Sequence, residues 1–198
     1  MITMGVTGGI GSGKSTFCAL LVSQGAELFD ADRVANQIMV SNASVKVRLT
    51  HLLGAEAYFE NGQLNKPFIS RVLFSNEVVL AKVGQIVHPE VQAAFLNEQT
   101  KARKAGIKLL VREAAIPPDV TTRSFLDAVI GVHADRDIRI HRVMERSNLT
   151  KNEVEARISA QVSDEAFRTA SDYVVINNGS VEELEEQARK VWDEWVKA

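Results

Sequence analysis

Apolar positions in the first thirty residues form two short runs with a helical stretch between them. Ile2-Thr3-Met4-Gly5-Val6-Thr7 has the near-continuous apolar character of a buried strand, and residues 14–22 continue with the character of a helix. Gly25 follows that helix, and Glu27-Leu28-Phe29 supplies a second strand leading into Asp30-Ala31-Asp32. This is the first half of a β-α-β arrangement, whose parallel strands require a helical crossover.

Helical pieces are expected at 33–39, 44–53 and 67–74, with the Asn61-Gly62 turn among them and a long charged helix after Glu77. Pro89 either begins a new helix or kinks a continuous one. Strands are expected at 108–111 and 128–132, with Pro117-Pro118 as a break between them. Residues 136–146 read as a helix, and Thr150-Lys151-Asn152-Glu153 reads as a capping box opening another. Asp172-Tyr173-Val174-Val175-Ile176 is a late strand that turns at Asn177-Asn178-Gly179. Residues 181–196 form an amphipathic helix in which Leu184, Ala188, Val191 and Trp195 follow helical spacing, so Trp192 and Trp195 read as packing groups.

The alternation of strand and helix predicts an α/β domain, with helices covering a mostly parallel sheet. The interval between the second strand and Lys108 reads as a helical insertion, because a structureless loop of that length is rare inside a compact domain.

Composition narrows the class. A chain of 198 residues with 45% hydrophobic residues and four prolines suits one soluble globular domain. The net charge of -2 gives no reason to expect a broad nucleic-acid surface. Cys18 is the only cysteine, which excludes an internal disulfide and a thiolate-rich zinc site; within the first helix it is expected to pack rather than react. No run approaches 18 apolar residues and no basic leader precedes the first strand, so no membrane association and a cytoplasmic location are expected.

Candidate chemistry is concentrated where the first strand meets the first helix. Gly8-Gly9-Ile10-Gly11-Ser12-Gly13-Lys14-Ser15 satisfies the spacing of a phosphate loop in its required strand-to-helix context. Small residues let backbone N–H groups turn around phosphate oxygens, Lys14 neutralises their charge, and Ser15 can bind Mg²⁺. Gly9, Gly11, Ser12, Gly13, Lys14, Ser15 and Thr16 are therefore expected to hold ATP. Ser12 can instead simply keep the turn compact, and Thr16 can make a local backbone contact.

Asp30 and Asp32 follow the second strand, at the sheet edge where open parallel sheets gather ligands. One carboxylate can orient metal-bound water or a cation while the other accepts a proton from an entering hydroxyl; capping or structural pairing is the alternative. Arg71 can bind an anionic substrate, and His88 can position one or serve local packing. Arg139, Arg142 and Arg146 recur at three- and four-residue intervals, so one helical face can present them to ATP phosphates or to solvent.

An ordered set of further matches narrows the acceptor. Thr7 to Thr16 is followed by Asp30-Ala31-Asp32-x-x-Ala35, Asn61-Gly62-x-Leu64-Asn65 and Val87-His88-Pro89. Arg142-x-x-x-Arg146, Thr150-x-x-x-Val154-x-x-Arg157-Ile158-x-x-Gln161 and Ala170 to Gly179 continue it. On these residues the chain resembles the dephospho-coenzyme A kinase family over nearly its whole length. The resemblance implies a P-loop kinase that transfers the ATP γ-phosphoryl group to the ribose 3'-hydroxyl of dephospho-coenzyme A, with ATP as co-substrate and Mg²⁺ as cofactor. It implies Asp32 as general base, Asp30 as its acidic partner and a contributor to Mg²⁺, and Arg142 or Arg146 as lid-side arginines approaching ATP. Arg71 and His88 correspond to acceptor-side positions, and Asn178 lies in a segment near the nucleotide base.

The expected organisation is one P-loop kinase domain over 1–198, with a helical acceptor-binding subdomain at about 60–105 and a lid at about 143–165. An oligomer is permitted but not required. The chain departs from the family at 110–119, where Leu110-Val111-Arg112-Glu113 runs into Ala114-Ala115-Ile116-Pro117-Pro118-Asp119 and only loosely keeps the apolar-to-acidic pattern. Competing readings are a kinase for another small alcohol, separable by its acceptor, and a non-catalytic nucleotide switch, separable by the absence of acceptor-dependent ADP formation.

Overall fold

The computed structural model describes residues 1–197. The chain begins with β1 (Ile2–Thr7), α1 (Lys14–Ser23) and β2 (Glu27–Asp30), then enters α2 (Ala31–Ser41) and α3 (Ala43–Leu53). A single 3-10 turn at Ala55–Ala57 precedes α4 (Lys66–Ser75) and the long α5 (Glu77–Lys104). β3 (Leu109–Glu113), α6 (Val120–Arg123), β4 (Ala128–His133) and α7 (Arg136–Ser147) follow. The chain ends with α8 (Lys151–Ser159), α9 (Asp164–Thr169), β5 (Tyr173–Ile176) and α10 (Val181–Val196).

The five strands form one parallel sheet in the order β2-β3-β1-β4-β5. The β-α-β crossover read from the first thirty residues is present, but β3 is inserted between β1 and β2. Register sets the edge that carries ligands: Val6 pairs with Glu113, Thr7 with Gly131, Asp30 with Glu113, and His133 with Ile176. The carboxyl ends of all five strands are thereby gathered at one edge, the usual ligand side of such sheets.

β1 is buried from Thr3 to Thr7, and β4 from Ala128 to Val132, which explains their near-continuous apolar sequences. α1 presents Phe17, Cys18 and Leu21 to the same core that receives Leu184, Ala188 and Val191 from α10. Trp192 and Trp195 pack against this core, as expected. Burial, reinforced by the Glu113 carboxylate, pushes the Cys18 thiol far above its ordinary range, so it stays a neutral packing group.

The contacts divide the chain into two compact units, Met1–Asp30 with Glu98–Ala198, and Ala31–Asn97. The first holds the whole sheet. The second is helical and begins at α2, directly after β2. It is tied together locally: Asn42 caps α3 by accepting from Ser44 N and Val45 N, and Asn65 caps α4 by accepting from Phe68 N. The Tyr58 hydroxyl donates to Met39 O at 2.8 Å, and Tyr58 forms an antiparallel bridge with Leu64. α5 continues through Pro89, which resolves the two alternatives in favour of one helix.

The capping box at Thr150 is present. Glu153 N donates to Thr150 Oγ1 at 3.4 Å, and Thr150 N donates to Glu153 Oε2 at 2.8 Å. The Thr150 side chain and backbone hold the Glu153 carboxyl below its ordinary value. Thr150→Ala is expected to lower the thermal unfolding midpoint by a few degrees near neutral pH. Because the folded-state pKa of Glu153 is depressed, its share of that stability is complete above the ordinary carboxyl value and is lost as pH falls through the folded one. The gap between parent and variant midpoints should therefore narrow in acid; a constant gap across that range would count against the box.

Candidate active site

β1 ends at Thr7, and the chain wraps through Gly8 to Gly13 before entering α1 at Lys14. Gly11 and Gly13 have φ of 79° and 95°, a region that side-chain-bearing residues disfavour. Gly13 is additionally crowded, since a Cβ there would overlap Asn177 Nδ2. Among the described residues no side chain caps α1, and its first N–H groups face the loop's mouth as an anion site would require.

The loop is braced by groups distant in sequence. Lys14 Nζ donates to Gly8 O at 2.9 Å across the loop, and Asn177 Nδ2 donates to Ser12 O at 2.8 Å from behind it. Ile10 N donates to Gln161 Oε1 at 2.7 Å, joining the loop to the segment after α8. Ile10 also packs with Leu149 and Ile158 against Ile140, Val143 and Val154, so α7 and α8 share a small apolar cluster with the loop.

A cavity of about 250 Å³ opens over this loop. Gly11, Gly13, Lys14, Ser15 and Thr16 line it, together with Arg146 of α7 and Gln161 from the segment after α8. At its sheet side Ser15 Oγ donates to Glu113 Oε1 at 2.7 Å. Asp30 ends β2 in register with Glu113. Loop, hydroxyl and guanidinium thus line one space, and the Glu113 carboxylate is held by that hydroxyl.

Arg142 and Arg139 of α7 are used differently. Arg142 donates through Nη1 to Asn177 O at 2.8 Å and through Nη2 to Gly179 O at 3.3 Å, holding the turn after β5. Asn178, in the same turn, accepts from Asp135 N at 2.9 Å. Arg139 is buried against Gly9 and pairs with Asp164 at 3.2 Å. His133, nearby, has its imidazole pKa lowered first by burial and then by the Arg168 charge.

Asp32, Arg71 and His88 belong to the helical unit. Asp32 is exposed in the first turn of α2. Arg71 is exposed on α4 with its guanidinium 5.7 Å from the centre of the Phe68 ring. His88 is exposed on α5, one turn from Gly84. A groove of about 630 Å³ runs along α2, with Arg33, Asn36, Gln37 and Val40 on one wall and Gln63 and Lys66 on the other; neither Arg71 nor His88 lines it.

Glu113, Asn177 and Gln161 were not selected as site residues from the sequence, whereas Arg139 was weighed there with Arg142 and Arg146 as a phosphate contact. Gln161 and Asn177 stand inside motifs quoted above, which was the available signal; Glu113 stands in the one stretch that departs from the family pattern. Nothing local distinguishes Arg139 from Arg142 or Arg146.

A parallel sheet, a glycine loop between β1 and α1, and a cavity joining Lys14, Ser15 and Arg146 define a P-loop kinase. A Thermus thermophilus crystal structure is similar over 98% of this chain and 97% of its own, with 32% identity and a TM-score of 0.81. The structure of the dephospho-CoA kinase from Campylobacter jejuni shares the fold at 22% identity, with a TM-score of 0.70 over 98% of this chain and 97% of its own. The family model described as dephospho-CoA kinase matches residues 2–183. The dephospho-CoA kinase of Chlorobium chlorochromatii is 35% identical over 197 residues, covering 98% of this chain and 93% of that relative. The chain belongs to the dephospho-CoA kinase family and is an ATP-dependent phosphotransferase.

Proposed function

We propose that the chain transfers the γ-phosphoryl group of ATP to the ribose 3'-hydroxyl of dephospho-coenzyme A, giving coenzyme A and ADP, by the following division of labour. The observation that carries the reading is the convergence of the phosphate loop, the Ser15–Glu113 contact and Arg146 on one cavity in a chain of this family. Phosphoryl transfer needs little covalent help from the protein, so positioning and charge stabilisation dominate its catalysis.

Backbone N–H groups at Gly11 and from Gly13 to Thr16 hold the triphosphate, and Lys14 leaves its internal contact with Gly8 O to meet the phosphate oxygens. Arg146 approaches the same phosphates from the lid side, while Arg142 and Asn178 shape the turn at 177–179 beside the nucleotide base. Residues 143–165 act as the lid, excluding water that would otherwise accept the phosphoryl group.

Mg²⁺ fits the donor set. Ser15 Oγ and the Glu113 carboxylate lie 2.7 Å apart and offer two hard oxygens, with Asp30 next to Glu113 in the sheet. Among the described residues no group of three or more His, Cys, Asp or Glu forms a protein cage, in keeping with an ion that takes most of its ligands from water and phosphate. When bound, it neutralises charge on the transferring phosphates.

The helical unit receives the acceptor. Asp32 accepts the proton of the 3'-hydroxyl, and Arg71 and His88 serve the acceptor side. Arg33 and Lys66 at the α2 groove provide cations for the acceptor diphosphate, and Asn36, Gln37 and Gln63 provide amides for its pantetheine arm. Among the described residues no helix is long and apolar enough to cross a membrane.

Incubating the chain with Mg-ATP and a panel of hydroxyl acceptors tests this reading. ADP formation should depend on dephospho-coenzyme A and be at least about tenfold slower with adenosine, which lacks the diphosphate and arm. Equal rates with adenosine, or ADP formation independent of acceptor, would refute it.

A further inference from the structure

A buried guanidinium supports the phosphate loop from below. Arg139 is 3% exposed, whereas Arg146 of the same helix is exposed. A Cβ added to Gly9 would overlap Arg139 Nη1, and one added to Gly11 would come within 2.6 Å of the Arg139 carbonyl oxygen. The loop therefore rests on this residue from Gly9 to Gly11.

The charge of Arg139 is unevenly balanced. Its Nη1 and Nη2 meet the Asp164 carboxylate at 3.2 and 3.3 Å, but Nε has no hydrogen-bond partner among the described residues. The Asp164 side chain is 43% exposed against 4% for Arg139, so water shields the carboxylate far more than the cation. Ser12, buried in the same loop, also leaves Oγ without a partner. Taking a guanidinium out of water for one partly solvated counter-charge is unfavourable. A second negative charge near the loop relieves that imbalance, and phosphate oxygens held by the loop N–H groups supply it.

We propose that Arg139 is a positioning residue for ATP: acting through the loop, its buried charge, incompletely balanced by Asp164, raises the affinity for the triphosphate. This rests on the phosphate-donor reading above and adds a residue that does not line the cavity over the loop. A mere strut requires only that Arg139 and Asp164 hold α7 and α9 together, and then loss of either partner weakens ATP binding alike. An electrostatic role makes the two partners act in opposite directions.

Mg-ATP is titrated calorimetrically into the intact chain and into Arg139→Gln, Arg139→Lys and Asp164→Asn, each checked by circular dichroism. Arg139→Gln is expected to raise Kd by about tenfold, the scale of one nearby charge at intermediate dielectric. Arg139→Lys, which keeps the charge, should stay within about threefold of the parent, and Asp164→Asn should bind ATP as tightly as the parent or more tightly. Equal weakening by Arg139→Lys and Arg139→Gln, or weakening by Asp164→Asn, overturns the proposal. If Arg139→Gln does not fold, weakening by Arg139→Lys beyond about threefold, or any weakening by Asp164→Asn, overturns the proposal. Failure of the parent to bind ATP overturns the phosphate-loop reading as well, which separates the two claims.

Discussion

Lys14→Ala is expected to lower phosphoryl transfer at saturating acceptor by about 10²- to 10³-fold, the usual consequence of deleting one preorganised charge-stabilising donor. That corresponds to about 3–4 kcal/mol of transition-state stabilisation. Lys14 lines the cavity over the loop, and its Nζ already reaches Gly8 O at 2.9 Å, so the ammonium is held where the phosphates enter. The charge on the transferring group spreads over its oxygens as the bond to ADP breaks, so the loss should fall on kcat at least as strongly as on the KM for ATP. Steady-state ADP formation with both substrates saturating measures it. Near-parental turnover would remove Lys14 from the role proposed here, and a fall in KM-dependent rate alone would reduce it to ground-state binding.

Asp32→Asn should divide the two halves of the reaction. Asparagine keeps the size of the side chain and its place in the first turn of α2 but cannot accept a proton as a carboxylate does. Transfer to dephospho-coenzyme A is expected to fall by about 10²- to 10⁴-fold, the range for removal of a general base. ATP affinity should change little, because the loop donors and Lys14 are intact. The loss moves toward the lower end if the transition state is loose and the hydroxyl gives up its proton late. ATP titration and product formation at saturating acceptor, on a variant shown to be folded, separate the cases. Parental transfer rates would exclude Asp32 as the base, and a parallel collapse of ATP binding would assign it to organising the loop or metal.

These expectations began with residues whose meaning is local. Phosphate-loop spacing is a short-range property, because the turn, the glycines and the helix start all lie between Gly8 and Ser15. Buried strands such as β1 and β4 were legible for the same reason: a strand covered on both faces must be apolar throughout, whatever its neighbours. The Thr150 capping box and the apolar face of α10 likewise depend on groups three or four residues apart. The start of α2 at Ala31 rather than 33, and the short helices α6 and α9, were less legible because a few residues carry too little periodicity.

The sequence by itself determined that a phosphate loop joins a buried strand to a helix, that parallel strands alternate with helices, and which family the ordered motifs resemble. Only the tertiary structure decided what surrounds the loop. Insertion of β3 between β1 and β2 brings Glu113 to Ser15 across 98 residues of chain, and the position of β5 sets Asn177 behind Ser12 across 165. Arg139, Arg142 and Arg146 have the spacing of one helical face, yet one is buried beneath Gly9, one holds the turn at 177–179, and one enters the cavity. Helical periodicity places side chains on a face; burial and partners come from whatever that face packs against, and no residue within a turn of those arginines encodes it.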